Sequence, residues 1–330
     1  MGVRIIGTGS YAPERILTNQ DLERMVETSD EWIQTRTGIR ERHIAEKSTP
    51  VSDLALEAAR RALDSAGISP SQLDILSVAS VTPDYTFPST SCVLQSKLGV
   101  PVTCACYDVQ AACSGLIYSL QIAVSMLKCR KNARYALVLG AEKLSSVVDW
   151  TDRSTCVLFG DAASALLLEN DWTDDSPDML LSCVLGADGS HSAKLCIPAG
   201  GSAMPASRET VDERLHFIRM GGQEVFRLAV NAMTSASRTA LQDAGLSVDQ
   251  IRWIIPHQAN KRIMDAVATR LEAKPEQVFV NVDRYGNTSS ASIGICLDEI
   301  VREGRIRKGD ALLLTAFGAG MTWGAAVIRW

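Results

Sequence analysis

The sequence predicts an α/β fold built from two related halves, and two observations carry that reading. The first is a duplication: positions 62–76 (ALDSAGISPSQLDIL) and 240–254 (ALQDAGLSVDQIRWI) agree at six of fifteen residues, offset by 178. The second is the order helix, strand, strand, helix, strand in each half, an alternation that favours helices covering sheets. A repeat this long marks two pseudo-equivalent domains, not a solenoid.

Each duplicated segment reads as the end of an amphipathic helix closed by a glycine (Gly67, Gly245), then a polar turn, then an apolar strand. In the first half a strand is expected over 102–109 and a helix over 114–127, with Leu116, Leu120, Ala123, Val124 and Leu127 on its buried face. A strand containing 136–139 (ALVL) follows. The second half repeats the series with a strand over 278–282, a helix over 288–301 and a strand containing 311–314 (ALLL). The polar, glycine-rich stretch 199–210 reads as a surface loop. Any boundary between about 170 and 220 fits; we place it at 175/176, giving halves 1–175 and 176–330.

With 46% hydrophobic and 22% charged residues over 330 positions, the chain has ample core-forming material and is not a disordered sequence. A net charge of −5 argues against broad nucleic-acid binding. The first apolar run is broken at Gly7 and Gly9, too early for a signal peptide, and Ile6 stands where a myristoylation signal needs Ser or Thr. No uninterrupted apolar run approaches the roughly 20 residues that span a bilayer. The expected location is the cytoplasm, with no membrane partner. Nine cysteines form no short regular framework, so reduced thiols are expected. Cys104 and Cys106 lack a second ligand pair and read as small buried hydrophobes; no metal site is expected. Gly7 and Gly9 lack a third glycine and run into Pro13, which rejects a dinucleotide site.

Three residues carry the chemistry. Cys113 lies between an apolar strand and an amphipathic helix, where unpaired N–H groups and the helix dipole are expected to lower its pKa. His257 comes after Pro256 at the end of the strand expected over 253–255, where it should emerge from a sheet edge into a cleft, and Asn287 lies at a nearly matching place to Cys113 in its own half, 174 positions on. Plainer roles are a packed thiol, a structural histidine and a helix N-cap. Cys, His and Asn in this order also occur in papain-like cysteine hydrolases, but the C-G-[SA]-C-[WY] signature is absent. Positions 317–320 (FGAG) form a turn able to aim N–H groups at an oxyanion.

Several motifs together make the chain resemble the β-ketoacyl-acyl carrier protein synthase III enzymes of the thiolase superfamily: 29–42 (SDEWIQTRTGIRER), 87–89 (FPS), 108–115 (DVQAACSG), 159–163 (FGDAA), 256–260 (PHQAN), 285–290 (YGNTSS) and 317–324 (FGAGMTWG). The resemblance implies a thiolase-like five-layer α-β-α-β-α fold of two pseudo-symmetric halves, and a homodimer. It implies that Cys113, His257 and Asn287 are the catalytic set, with the backbone N–H groups of Cys113 and Ala319 as the oxyanion hole. Trp32 and Arg153 would flank the adenine of coenzyme A, with Thr28, Arg36 and Asn260 on its other parts. Phe87 would restrict the acyl pocket from across the dimer, and Lys261 and Arg262 would dock an acidic carrier protein. The implied reaction condenses a short acyl-CoA with malonyl-acyl carrier protein to initiate fatty-acid synthesis, with no cofactor beyond coenzyme A as a substrate. Departures are small: Ala162 and Ser164 stand where many relatives carry Gly, Ala319 replaces a frequent Gly, and 199–213 looks longer than in compact relatives. A specialised-metabolite condensing enzyme or acyltransferase would use the same three residues with another acceptor. A thiolase would be expected to present a second cysteine in place of Asn287, and a non-catalytic carrier-binding module would not need all three groups.

Overall fold

Two sheets sandwich a pair of buried helices in the computed structural model, which describes residues 2–172 and 178–330. The first sheet has five strands in the order Gly2–Tyr11, Asp161–Asp171, Tyr135–Lys143, Ile75–Ala79 and Ala105–Val109. The second orders Ile251–Pro256, Ala311–Gly318, Thr322–Arg329 and Leu180–Ala187. Strands 75–79 and 136–140 pair in parallel, as do 251–256 and 311–315, which is what helical crossovers between them require. The expected boundary at 175/176 lies outside the described residues.

Five layers result. Helix Val51–Ala66 covers the outer face of the first sheet, and helices Gly222–Asp243 and Lys261–Leu271 cover the outer face of the second. Between the sheets run Gly115–Cys129 and Ser292–Arg302. The first of these, with the turn before it, is long and apolar enough over 112–129 to cross a membrane, yet Leu116, Ile117, Leu120, Ala123 and Leu127 are buried in the core between the sheets, which accounts for its hydropathy. The strand expected over 278–282 is reduced to a single parallel bridge, Ile254 to Val278, because the backbone turns into a short helix at Val282–Tyr285.

The duplication continues further than the sequence reading took it. Short 3-10 turns at Ala112–Ser114 and Ser289–Ala291 precede the two central helices at the same offset, 177 residues. Both turns begin with a non-glycine residue in the left-handed region, Ala112 at φ 45° and Ser289 at φ 49°. The residue equivalent to Cys113 is therefore Ser290, not Asn287, and the equivalent of His257 is Ser80. This corrects the near-match expected for Asn287.

Candidate active site

Cys113 is set where strand Ala105–Val109 has ended and the chain turns into helix Gly115–Cys129. The turn is clamped by small residues: a Cβ on Gly115 would stand 2.8 Å from the Ala79 side chain, and one on Gly318 would stand 2.5 Å from the Cys113 nitrogen. Glycine at 318 thus brings the end of strand Ala311–Gly318 against the N–H of Cys113. Thr322 ties the following turn to the same place, donating within reach of the Ala111 and Ala319 carbonyls at 2.8 and 3.1 Å. The thiol is partly open to a cavity but otherwise enclosed by protein. That burial pushes Cys113 up to about 12, helped by the Glu142 carboxyl and opposed by a hydrogen bond from Ser289. The lowered pKa expected from the helix terminus is not what the folded chain has, because desolvation outweighs it.

His257 leaves the sheet at the end of Ile251–Pro256, its N–H donating to the Thr315 carbonyl at 2.7 Å. It is 2% exposed, and burial pushes the imidazole down to about 3, so the ring is neutral. Its Nδ1 lies 2.8 Å from Ser292 Oγ.

Asn287 is held by its backbone and by its side chain. Its N–H donates to the Leu158 carbonyl at 2.8 Å and its carbonyl accepts from the Gly160 N–H at 3.1 Å, a bridge to the strand-like segment at Phe159. Its Oδ1 accepts from the Ser289 N–H at 2.9 Å, which leaves the Nδ2 amide hydrogens for the cavity. It is not the side-chain cap of helix Ser292–Arg302, which has none.

All three residues line one cavity of about 930 Å³, together with Ser289, Phe317 and Ala319. Val81, Leu144, Val147, Val157, Phe159 and Ile218 make much of the remaining wall apolar. Segment 287–292 is the hub: it supplies Asn287, sets the Ser289 hydroxyl where it works against the rise in the Cys113 pKa, and hydrogen-bonds His257 through Ser292. The sequence reading missed Ser289, Ser292 and Glu142. The serine run after Asn287 was the available signal, but serines beside a helix start are common N-cap material.

The other expected contacts divide. Trp32, Arg36, Asn260 and Arg262 line the cavity. Asn260 caps helix Lys261–Leu271 through Oδ1, which accepts from the Ile263 N–H at 3.0 Å, so its amide NH₂ remains to donate. Arg36 and Arg153 lie over the Trp32 ring at 5.2 and 5.0 Å, and Arg153 also donates to the Glu27 carbonyl at 2.9 Å. The expected stacking of a flat base between Trp32 and Arg153 would need about 7 Å, two stacking distances, which is more than the 5.0 Å found between them. Thr28 does not line the cavity, although the residue is half-buried and its buried hydroxyl has no hydrogen-bond partner. Lys261 is tied to Asp265 at 2.7 Å and packs under Gly38, while Arg262 stacks on Phe226 at 5.6 Å beside the cavity. Phe87 is 85% exposed and outside the cavity wall of the single chain. All nine cysteines are free, and among the described residues no cluster of three His, Cys, Asp or Glu side chains is placed to hold a metal ion.

A doubled α/β fold that brings a thiol from one half and an imidazole and carboxamide from the other into one deep cavity has the architecture of a condensing enzyme. Family models described as 3-oxoacyl-[acyl-carrier-protein (ACP)] synthase III match residues 107–189, and its C-terminal part residues 241–330. A β-ketoacyl-[acyl-carrier-protein] synthase III from Caldanaerobacter subterraneus subsp. tengcongensis is 52% identical over 99% of this chain and 97% of its own. The crystal structure of 3-oxoacyl-[acyl-carrier-protein] synthase III from Aquifex aeolicus VF5 superposes with a TM-score of 0.90 at 46% identity, covering 100% of both chains. The priming β-ketosynthase of the R1128 polyketide biosynthetic pathway superposes with a TM-score of 0.90 at 34% identity, over 99% of this chain and 96% of its own. The chain belongs to the β-ketoacyl-[acyl-carrier-protein] synthase III family and has its thiolase-type fold. The hydrolase alternative is thereby set aside.

Proposed function

We propose that this chain catalyses the decarboxylative condensation of a short acyl-CoA primer with malonyl-acyl carrier protein, initiating fatty-acid synthesis through an acyl-Cys113 intermediate. The observation that carries the assignment of residues is the shared cavity: Cys113, His257 and Asn287 line it, and segment 287–292 links the last two.

Cys113, neutral at rest, attacks the primer thioester. The acyl–sulfur bond to coenzyme A breaks, the thiol proton leaves with coenzyme A, and the N–H groups of Cys113 and Ala319 hold the tetrahedral oxyanion. Malonyl-acyl carrier protein then fills the vacated tunnel. His257 and the Asn287 amide donate to its thioester oxygen, so loss of carbon dioxide leaves a stabilised enolate. That carbanion attacks the acyl group, and Cys113 departs as thiolate from the β-ketoacyl product. No metal or other cofactor enters any step; coenzyme A is a substrate. Trp32, Arg36, Arg153, Thr28 and Asn260 would contact coenzyme A, and Arg262, with Lys261 behind it, would meet the carrier protein.

The chain is taken to act as a cytoplasmic homodimer. Strand Ala105–Val109 ends the first sheet with every residue only half-buried, and Val102 and Phe87 nearby are 95% and 85% exposed, an edge suited to a second copy. A partner there would bring its Phe87 toward the acyl pocket.

The decisive experiment incubates the protein with acetyl-CoA and maps the acyl group by mass spectrometry. The label is expected on Cys113, with one equivalent of coenzyme A released. His257→Ala should keep that transfer and lose release of carbon dioxide from malonyl-acyl carrier protein by about a hundredfold or more. Label on another cysteine, or equal loss of both half-reactions, would refute the roles given. Similarity to the R1128 priming ketosynthase supports a second reading, a specialised acceptor. An acyl-CoA panel assayed against fatty-acid and polyketide carrier proteins separates the two.

A further inference from the structure

Building on that condensation reading, we propose that Ser292 is a positioning residue that holds His257 as a hydrogen-bond donor toward the cavity. The reasoning is a proton count. Ser292 opens helix Ser292–Arg302, and its hydroxyl has one proton with two acceptors in reach: His257 Nδ1 at 2.8 Å and the Ser289 carbonyl at 2.9 Å. That carbonyl already accepts the backbone N–H of Ser292, so it is satisfied without the hydroxyl. The Gln258 N–H, 3.4 Å away, directs its hydrogen at the same Oγ and takes up one lone pair there. Giving the hydroxyl proton to Nδ1 instead of to the Ser289 carbonyl leaves the Gln258 N–H, the carbonyl and the ring nitrogen all partnered, and this is the arrangement assigned to Ser292. Once Nδ1 accepts, the single proton of a neutral imidazole sits on Nε2, the nitrogen on the far side of the ring from Ser292. Burial of His257, which keeps the ring neutral, is what makes the tautomer decisive.

The consequence reaches the chemistry. Asn287 Oδ1 is occupied by the Ser289 N–H, so its amide offers only donors to the cavity. With Nε2 protonated, His257 offers a donor as well, and two donors meet the oxygen on which enolate charge accumulates. In the other tautomer the Nε2 lone pair would face that oxygen and repel it. Segment 287–292 therefore sets the polarity of both groups, through Ser289 for the amide and Ser292 for the ring.

The test labels the whole protein with 15N-histidine, of which there are four, and identifies His257 by its disappearance in His257→Ala. Wild type and Ser292→Thr should show an unprotonated Nδ1 and a protonated Nε2. Ser292→Asp, whose carboxylate only accepts, should move the proton to Nδ1. In kinetics, Ser292→Ala and Ser292→Asp should slow decarboxylation of malonyl-acyl carrier protein about tenfold to a hundredfold, leave acyl transfer to Cys113 unchanged, and be rescued by Ser292→Thr. Unchanged acyl transfer also certifies that each variant is folded. A wild-type His257 protonated on Nδ1, or a Ser292→Ala enzyme that decarboxylates at the wild-type rate, overturns the proposal. If wild type releases no carbon dioxide while His257 is protonated on Nε2, the condensation reading fails and the role of Ser292 as the tautomer-setting group stands.

Discussion

Cys113 and His257 are both neutral in the resting cavity, and each gives a measurable pH signature. The thiol is pushed up to about 12. Its alkylation by iodoacetamide should therefore rise about tenfold per pH unit from pH 7 to 10 without a plateau; a plateau below pH 8 would mean a stabilised thiolate. For His257 the folded state resists protonation down to about 3, whereas the unfolded chain takes up a proton near 6.5. The folded state binds fewer protons in that window, so stability is lost as pH falls from about 6.5 toward 3. Between pH 7 and pH 5 the imidazole should cost wild type about 2 kcal/mol that His257→Gln does not lose, read from urea midpoints at the two pH values.

Elements are brought together at glycines whose purpose the primary structure did not disclose. Gly7 and Gly9 were rejected as a dinucleotide motif, and packing supplies their reason. A Cβ on Gly9 would stand 2.3 Å from the Ala58 carbonyl, and one on Gly7 2.4 Å from the Ala62 carbonyl, because helix Val51–Ala66 lies directly on strand Gly2–Tyr11. Gly9→Ala should destabilise the protein by about 1–3 kcal/mol in denaturant unfolding while leaving the reaction of Cys113 intact. Gly318→Ala should do the reverse in emphasis. Its new methyl would collide with the Cys113 nitrogen, so acyl transfer should fall by about a hundredfold or more. The helices themselves were readable, since a stripe such as Leu116, Leu120 and Leu127 has helical spacing and is buried as that spacing requires. The strand expected over 278–282 was not, because an apolar pair at Val278 and Phe279 looks the same whether a sheet or a single bridge receives it.

Across the whole chain the two halves have diverged in a consistent direction. Where the second half presents His257 and the first presents Cys113, the symmetry-related positions hold Ser80 and Ser290, and both hydroxyls reach the buried carboxyl of Glu142, at 3.3 and 2.8 Å. Thr82 and the Val81 N–H complete that knot, and burial pushes the Glu142 carboxyl up. Beside Cys113, by contrast, Gly318 packs directly against the backbone nitrogen and brings no carboxyl, while Cys113 itself lines the cavity. One of the two symmetry-related places is thus filled by hydrogen bonds and the other opens on a cavity. The open cavity gains a further wall if two copies associate along strand Ala105–Val109. Light scattering should give twice the chain mass, and Phe87→Thr should extend primer use to longer acyl-CoAs; a monomer with unchanged primer range would remove Phe87 from the acyl pocket.

What the primary structure determined by itself was the doubled α/β plan and the three residues, Cys113, His257 and Asn287, that folding brings to one cavity, because periodicity, helix-closing glycines and short motifs are local properties of a chain. What only the tertiary structure decided was the state in which those residues wait. Desolvation depends on every neighbour packed around a group, so the neutral thiol of Cys113 and the neutral ring of His257 emerge only once both sheets close over them. The same holds for Ser292, a helix-start serine until folding sets its hydroxyl against the imidazole.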